Sequence, residues 1–325
     1  MKIIVGDPNL MPHRSRFESA LPPEATVRWL IGAYPHTLLD ELRDTDVYVG
    51  GRFTAAMAGA AERLRLVHLA GAGTDKVDFA ALSADVLVAN TFHHEQSIAE
   101  YVVAAAVMLR RGFLGQDRAL RRDIWATSVY DAAIPQPGTL HGARVGFVGF
   151  GHIGQCAWQL FRAFGSTGAA VTGSGRVDGA EHGLAWAGDT TRLGALMRES
   201  DVVVVSAPLT AATEGMIGAE QLRQLGADGV LINVGRGPLV QENALYDALL
   251  AGAIGGAAVD VWYSYPGPDG RGAPSALPFG ELSRALITPH SSGVTRDTFL
   301  GRVDDIVANI GRLAGGEPLA NVVTR

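Results

Sequence analysis

The chain has 325 residues and a mass of 34.1 kDa, and its 47% hydrophobic and 18% charged content is that of a folded globular protein with room for two domains, not of a disordered one. A formal net charge of -6 and a pI near 5.8 leave no dominant basic surface for nucleic acid or an anionic membrane. A single cysteine, Cys156, rules out an internal disulfide and points to a reducing, cytoplasmic setting, and no run of 18 apolar residues predicts a membrane span.

From the N-terminus, Lys2-Ile3-Ile4-Val5-Gly6-Asp7-Pro8 reads as strand and turn, not as a secretion signal. Short apolar runs at residues 3–5, 27–31, 47–49, 66–69 and 86–88 predict strands, and residues 36–43 and 54–63 predict helices between them. This alternation is α/β with a largely parallel sheet. Gly71-Ala72-Gly73-Thr74-Asp75 follows the fourth strand, at the carboxyl edge where such sheets place ligands, although the loop alone reads more readily as a plain turn. Phe92-His93-His94-Glu95-Gln96 then leads to Ser97, with Glu100 three residues on, the pattern of a capping box. The helix expected over residues 98–111 is apolar over much of its surface and suits a linker buried between two bodies.

Between residues 112 and 141 the pattern loosens around Arg121, Arg122, Trp125 and the Pro135-Gln136-Pro137-Gly138 turn, as in a surface connection. Val145, Phe147 and Val148 then make a strand that runs into Gly149, Gly151 and Gly154 at the spacing G-x-G-x-x-G. The first glycine permits a tight turn, the second leaves room for a pyrophosphate, and the third lets the following helix approach the strand; the helix start offers free N–H groups to a phosphate. The spacing alone is weak in a chain with 41 glycines, but the strand before it and helical periodicity over residues 155–164 strengthen it. Further strands are expected at residues 169–172, 202–206, 230–234, 255–261 and 287–290, and an amphipathic helix over 296–313 closes the chain, expected to return to the first domain.

Chemistry-bearing residues fall at the ends of these strands. Arg236, on the glycine-flanked turn Asn233-Val234-Gly235-Arg236-Gly237, is suited to clamp a carboxylate through two parallel hydrogen bonds. Asp260 follows one apolar run, and His290 closes Thr288-Pro289-His290, where an imidazole can exchange a proton with an alcohol or ketone oxygen. Singly these are more readily a surface arginine, a capping aspartate and a satisfied histidine; together, in this order, they point to a site. Cofactor choice follows from Val171-Thr172-Gly173-Ser174-Gly175-Arg176, where neutral Ser174 and cationic Arg176 suit the 2′-phosphate of NADP better than the ribose of NAD. Asp178 would be the acidic residue of an NAD site if the turn were longer. No metal site is expected.

The series Ala70-Gly71-Ala72-Gly73-Thr74-Asp75, Ser97-Ile98-Ala99-Glu100, Leu140-His141-Gly142, the glycine turn, Ala207-Pro208-Leu209-Thr210, residues 233–237, Val259-Asp260-Val261 and Thr288-Pro289-His290 resembles the D-2-hydroxyacid dehydrogenase family, which includes glycerate, phosphoglycerate, glyoxylate/hydroxypyruvate and formate dehydrogenases. The resemblance implies two doubly wound, Rossmann-like α/β domains with parallel sheets. Residues 1–103 with 291–325 would form a flavodoxin-like substrate domain and residues 104–290 the NAD(P)-binding domain, with a cleft between them, in a homodimer. It assigns the substrate carboxylate to Arg236 and the backbone N–H groups of Ala72 and Gly73, and proton transfer to His290. Asp260 would lie at the nicotinamide carboxamide, and Gly149, Gly151, His152, Ile153, Gly154, Ser174, Arg176, Pro208, Thr213, Val234, Gly235 and Gly293 would line the cofactor.

Two departures stand out. Trp262-Tyr263-Ser264-Tyr265-Pro266 puts Tyr265 where the family usually has a glutamate that hydrogen-bonds the histidine and raises its pKa, so His290 is expected to lose its proton at lower pH than in such relatives. In Phe92-His93-His94-Glu95, His94 and Glu95 either line the substrate cleft, where Glu95 would supply the missing carboxylate, or face solvent. The implied activity is hydride transfer between NAD(P) and a small 2-oxo or 2-hydroxy acid such as glyoxylate or hydroxypyruvate. Formate-like oxidation of a small carboxylate, and a non-catalytic NAD(P)H-sensing corepressor, are the alternatives.

Overall fold

The computed structural model describes residues 1–32, 35–267 and 269–324. The chain folds into two compact units, Met1–His93 with Thr295–Arg325, and His94–Val294.

The first unit is built on five parallel strands, β1 (Lys2–Val5), β2 (Thr26–Trp29), β3 (Val47–Gly50), β4 (Leu66–Leu69) and β5 (Leu87–Ala89), in the order β2-β1-β3-β4-β5. That is the flavodoxin-like order of a doubly wound sheet. The inner strands are largely apolar because both of their faces are covered, as parallel sheets require; Lys2 at the start of β1 and the buried His68 in β4 are the exceptions. Ile3, Val5, Val47, Val49 and Leu66 meet Phe299, Val303, Ile306 and Ile310 of the closing helix, Arg296–Gly315. Alternate residues Ile4, Tyr48, Val67 and Val88 pack on the other side with Leu42, Phe53 and Met57. Thr295 caps the closing helix by accepting from the Thr298 N–H, and Gly316 ends it at φ 71°.

The second unit carries seven parallel strands: β6 (Arg144–Val148), β7 (Thr167–Thr172), β8 (Trp186–Asp189), β9 (Val202–Val205), β10 (Val230–Asn233), β11 (Gly256–Val259) and β12 (Ala285–Ile287). Their order, β12-β11-β10-β9-β6-β7-β8, reverses between β6 and β9. The crevice beyond the carboxyl ends of those two strands is where open α/β sheets bind ligands, and the glycine turn after β6 opens onto it. Helix Glu95–Arg110 buries Ile98, Ala99, Val102 and Ala106 in one core with Phe147, Ala157 and Trp158.

Several elements differ from expectation. The linker helix starts at Glu95, not residue 98: Ser97 lies inside its first turn and donates to the His94 carbonyl (3.0 Å), so His94 occupies the cap position. By its packing this helix belongs to the second unit, and the units divide at 93/94 and 294/295 where the sequence suggested 103/104 and 290/291. The helix after the glycines begins at His152, within the motif itself. Helix Phe113–Leu120 occupies part of the stretch read as irregular. Strand β12 ends at Ile287, because Thr288 still donates to the Val259 carbonyl but Pro289 has no N–H to continue the ladder. Among the described residues, no helix is long and apolar enough to cross a membrane.

Candidate active site

The three glycines of the turn each have a different surrounding. Gly149 sits at φ 90°, and a Cβ there would lie 2.6 Å from the Ala207 backbone N, so the loops after β6 and β9 touch only because it is glycine. A Cβ on Gly154 would lie 2.9 Å from the Gly149 carbonyl oxygen, which is the close helix-to-turn approach expected of it. A Cβ on Gly151 would meet no protein atom within 4 Å. The fold itself therefore does not require a glycine at 151, and open space over the start of helix His152–Ala163 fits a phosphate brought from outside. His152 and Ile153 form that first turn. Pro208 is part of the facing loop after β9; Thr213 stabilises this loop by donating to the Pro208 carbonyl (2.8 Å) and accepting from the Thr210 N–H (2.8 Å).

After β7 the chain turns tightly, with Gly175 donating to the Thr172 carbonyl and hydroxyl and Arg176 donating to the Ser174 hydroxyl (3.3 Å). Ser174 and Arg176 are both exposed on this turn. Asp178 is engaged elsewhere: its Oδ1 accepts from the Ala180 and Glu181 N–H groups and caps the short helix Gly179–His182. Asp178 thus begins that helix, two residues beyond Arg176.

At the end of β10, Asn233 organises the arginine turn. Its Oδ1 accepts from the Gly235 N–H (3.1 Å) and its Nδ2 donates to the Arg236 carbonyl (3.0 Å), while Val234 is held to β9 through the Val205 carbonyl. Arg236 is half-buried with extended backbone, and its Nη1 donates to the Gly235 carbonyl (2.9 Å).

Next to it, at the end of β11, Asp260 is fully buried. Its Oδ1 accepts from the Thr288 hydroxyl (2.6 Å) and the Ser291 N–H (2.9 Å), and its Oδ2 accepts from the Ser292 N–H (3.1 Å) and hydroxyl. A residue assigned by resemblance to the nicotinamide is thus, in this structure, the clamp of the loop after β12, with all four hydrogen bonds directed into it. His290 stands in the middle of that loop, exposed and at φ 56°. Its Nδ1 lies 2.9 Å from the Tyr265 hydroxyl, which also accepts from the Trp262 N–H (3.3 Å). The Trp262 indole N–H donates to the Thr288 carbonyl (2.7 Å). Arg236 and His290 are therefore carried on loops that flank Asp260, from strands on either side of β11 in one sheet.

Gly293 faces the start of the linker helix, where an added Cβ would be 3.2 Å from the His94 Cβ. His94 and Glu95 form this start, with the His94 Nδ1 3.9 Å from the Glu95 carboxylate. The Glu95 charge also acts on Cys156 of helix His152–Ala163, whose thiol is pushed up by burial first and by this carboxylate second. His93 is drawn into the first unit instead, its Nε2 2.9 Å from Asp305. In that unit Ala72 and Gly73 follow β4 in a loop braced by Asn90, whose Nδ2 donates to the Ala72 carbonyl (2.9 Å). Asn233, Trp262, Thr288, Ser291 and Ser292 act by holding other groups and carry no chemistry of their own, so the sequence does not mark them as site residues.

Residues 103–292 match the family described as D-isomer specific 2-hydroxyacid dehydrogenase, NAD binding domain. A glycerate dehydrogenase of Methylorubrum extorquens is 32% identical over 274 residues, covering 80% of this chain and 79% of its own. A D-3-phosphoglycerate dehydrogenase of Mycobacterium tuberculosis is 29% identical over 311 residues, 94% of this chain; the match spans only 56% of that longer protein. Among solved structures, the 2-hydroxyacid dehydrogenase of Ketogulonicigenium vulgare superposes with a TM-score of 0.82 at 24% identity, over 99% of this chain and 98% of that one, a likeness of fold. The chain belongs to the D-isomer specific 2-hydroxyacid dehydrogenase family, a family of oxidoreductases, and its second unit contains that family's NAD-binding domain.

Proposed function

We propose that this protein reduces a small 2-oxo acid, glyoxylate or hydroxypyruvate, to the corresponding 2-hydroxy acid, with NADPH preferred over NADH. The observation that carries the reading is the flanking of Asp260 by Arg236 and His290, a carboxylate-binding cation and a proton donor presented together at the carboxyl edge of one sheet. The likeness to a glycerate dehydrogenase favours a three-carbon hydroxy acid among the possible products.

The dinucleotide's pyrophosphate would lie over Gly151 and the start of helix His152–Ala163, its 2′-phosphate between Ser174 and Arg176, and its nicotinamide would supply a hydride to the substrate's C2. Arg236 then holds the substrate carboxylate in a fixed plane, which orients the carbonyl. His290, as imidazolium, gives its Nε2 proton to the carbonyl oxygen as negative charge develops there, while Nδ1 remains on Tyr265. One hydride and one proton convert the ketone or aldehyde to the alcohol, and the imidazole is left neutral.

Oxidation of NADPH and of NADH by the purified protein, measured over a panel of 2-oxo acids including glyoxylate and hydroxypyruvate, tests the reading. Turnover is expected to be faster with NADPH and to disappear in His290→Ala. Loss of the charge-assisted contact in Arg176→Ala should raise the KM for NADPH on the order of 10- to 100-fold and leave NADH nearly unaffected. A cofactor preference untouched by that substitution would remove the NADPH assignment. The missing glutamate favours a second reading: cofactor binding without turnover of any 2-oxo acid, together with activity on formate, would replace reduction by formate-like oxidation, and no turnover at all would leave a sensor.

A further inference from the structure

We propose that Tyr101 is a positioning residue for His290, acting through the hydroxyl of Thr288 and the carboxylate of Asp260; the inference rests on the reading of His290 as the proton donor. His290 adopts a left-handed backbone at φ 56°, a conformation L-residues avoid, so its own preference does not hold it there. The hold comes from its neighbours. Thr288 two residues before it, Ser291 one after and Ser292 two after are all bound to Asp260. Both sides of the histidine are thus pinned to a single buried group, and the backbone that carries the imidazole can shift only if one of these bonds gives way.

Thr288 is the restraint on the leading side, and Tyr101 helps to fix where its hydroxyl oxygen sits. The Tyr101 oxygen lies 2.9 Å from Thr288 Oγ1. A carboxylate only accepts, so the one hydroxyl proton of Thr288 goes to Asp260, and Tyr101 must be the donor to Thr288. Burial pushes the Tyr101 phenol up to about 12, which keeps it a donor throughout the neutral range. The chain of bonds therefore runs in one sense, Tyr101 to Thr288 to Asp260, and each donor strengthens the next. Tyr101 sits on the linker helix, packed in a core that does not depend on the loop, so it offers a fixed point for the loop to bear against. The backbone of Thr288 is held as well, by the Val259 carbonyl and the Trp262 indole. Tyr101 then serves the side chain, and its removal should loosen the histidine without unfolding the loop.

The test compares Tyr101→Phe, Thr288→Val, their double variant and Thr288→Ser in the full-length protein, with 2-oxo acid reduction as one readout and the His290 ring proton in NMR spectra, assigned from His290→Ala, as the other. Tyr101→Phe and Thr288→Val should each lower kcat on the order of 10-fold, with KM for the cofactor kept within about twofold. The double variant should be no worse than the poorer single one, and Thr288→Ser should recover most of the loss. The His290 ring proton should shift or broaden in Tyr101→Phe. An unchanged kcat with an unchanged His290 signal would overturn the proposal, as would losses that add in the double variant. Should His290→Ala itself keep full turnover, the assigned role of the histidine fails, and the His290 signal in Tyr101→Phe still decides whether the tyrosine positions it. Thermal unfolding of each variant separates these effects from a loss of fold.

Discussion

Tyr265 holds the imidazole as a glutamate would, but without its charge. The Trp262 N–H occupies one lone pair of the phenol oxygen, and the hydroxyl faces His290 Nδ1 at 2.9 Å. When the imidazole is neutral, the phenol can donate to Nδ1; when it is cationic, Nδ1–H donates to the phenol oxygen. The hydrogen bond survives in both states, so the ring keeps its orientation, while the neutral phenol adds no charge of its own to favour the imidazolium. Reduction needs the imidazolium, and an opposite charge within hydrogen-bond distance favours that form. Tyr265→Glu should therefore carry the falling limb of the pH profile for reduction about one unit or more towards alkaline pH. Tyr265→Gln, a neutral replacement, should leave that limb where it is. Measured kcat/KM against pH in the three proteins decides the matter, and an unmoved limb in the glutamate variant would show that charge at this position does not govern the histidine.

On the scale of elements, β4 and the closing helix are joined by a buried polar pair within the first unit. The His68 Nδ1 lies 3.1 Å from the Leu69 carbonyl, and the Asn309 amide faces its Nε2 at 3.0 Å. Asn309 Oδ1 accepts from the Ala320 N–H and from Arg312, so the amide presents its NH2 group to the ring and cannot turn to receive a proton. Burial, the largest effect, pulls His68 down to about 4. Because the folded value lies below the unfolded one of about 6.5, the unfolded chain binds the extra proton between these pH values; stability is full above about 6.5 and falls as pH drops towards 4, by on the order of 3 kcal/mol. Chemical denaturation at pH 7 and pH 4.5 should show this loss in the native protein and a smaller one in His68→Gln. Equal losses in both would assign the acid sensitivity to other groups. Strand β4 and the helix were both legible as apolar patterns, but their pairing was not, since one histidine in a strand and one asparagine in a helix reveal no partner 241 residues away. The same holds for Tyr101 and Thr288, 187 residues apart. Strand β8 was missed for another reason: Trp186-Ala187-Gly188-Asp189 is a half-buried edge strand with no apolar run. What could be read directly were the glycine turn and the residues at strand ends, where chemistry and fold both constrain the side chain.

For the whole molecule, the segment after helix Phe113–Leu120 poses a question of association. Trp125 is 63% exposed, Val129 79% and Tyr130 70%, with Leu120 and Ile124 also half exposed or more. These side chains are not on a slack loop. Val129 donates to the Thr127 hydroxyl, Tyr130 to the Thr127 carbonyl and Ala133 to the Asp131 carboxylate, and the Trp125 and Tyr130 rings meet edge to face at 5.9 Å between centroids. The chain thus builds an ordered apolar surface that its own fold does not cover, which marks a contact surface, and the pairing of Trp with Tyr is the chemistry of an interface anchor. The family resemblance implies a homodimer, and a second copy of this chain is the occupant to test at this surface. Light scattering coupled to gel filtration should then give twice the 34.1 kDa of one chain. Central aromatic anchors contribute at least about 2 kcal/mol each, so Trp125→Asp with Tyr130→Ser should weaken association on the order of 1000-fold or more and yield monomers at micromolar concentration. Far-UV circular dichroism of the variant should match that of the native protein, since neither ring belongs to a buried core. A native protein that runs as a monomer, or a dimer that survives both substitutions, would place the partner of this surface elsewhere.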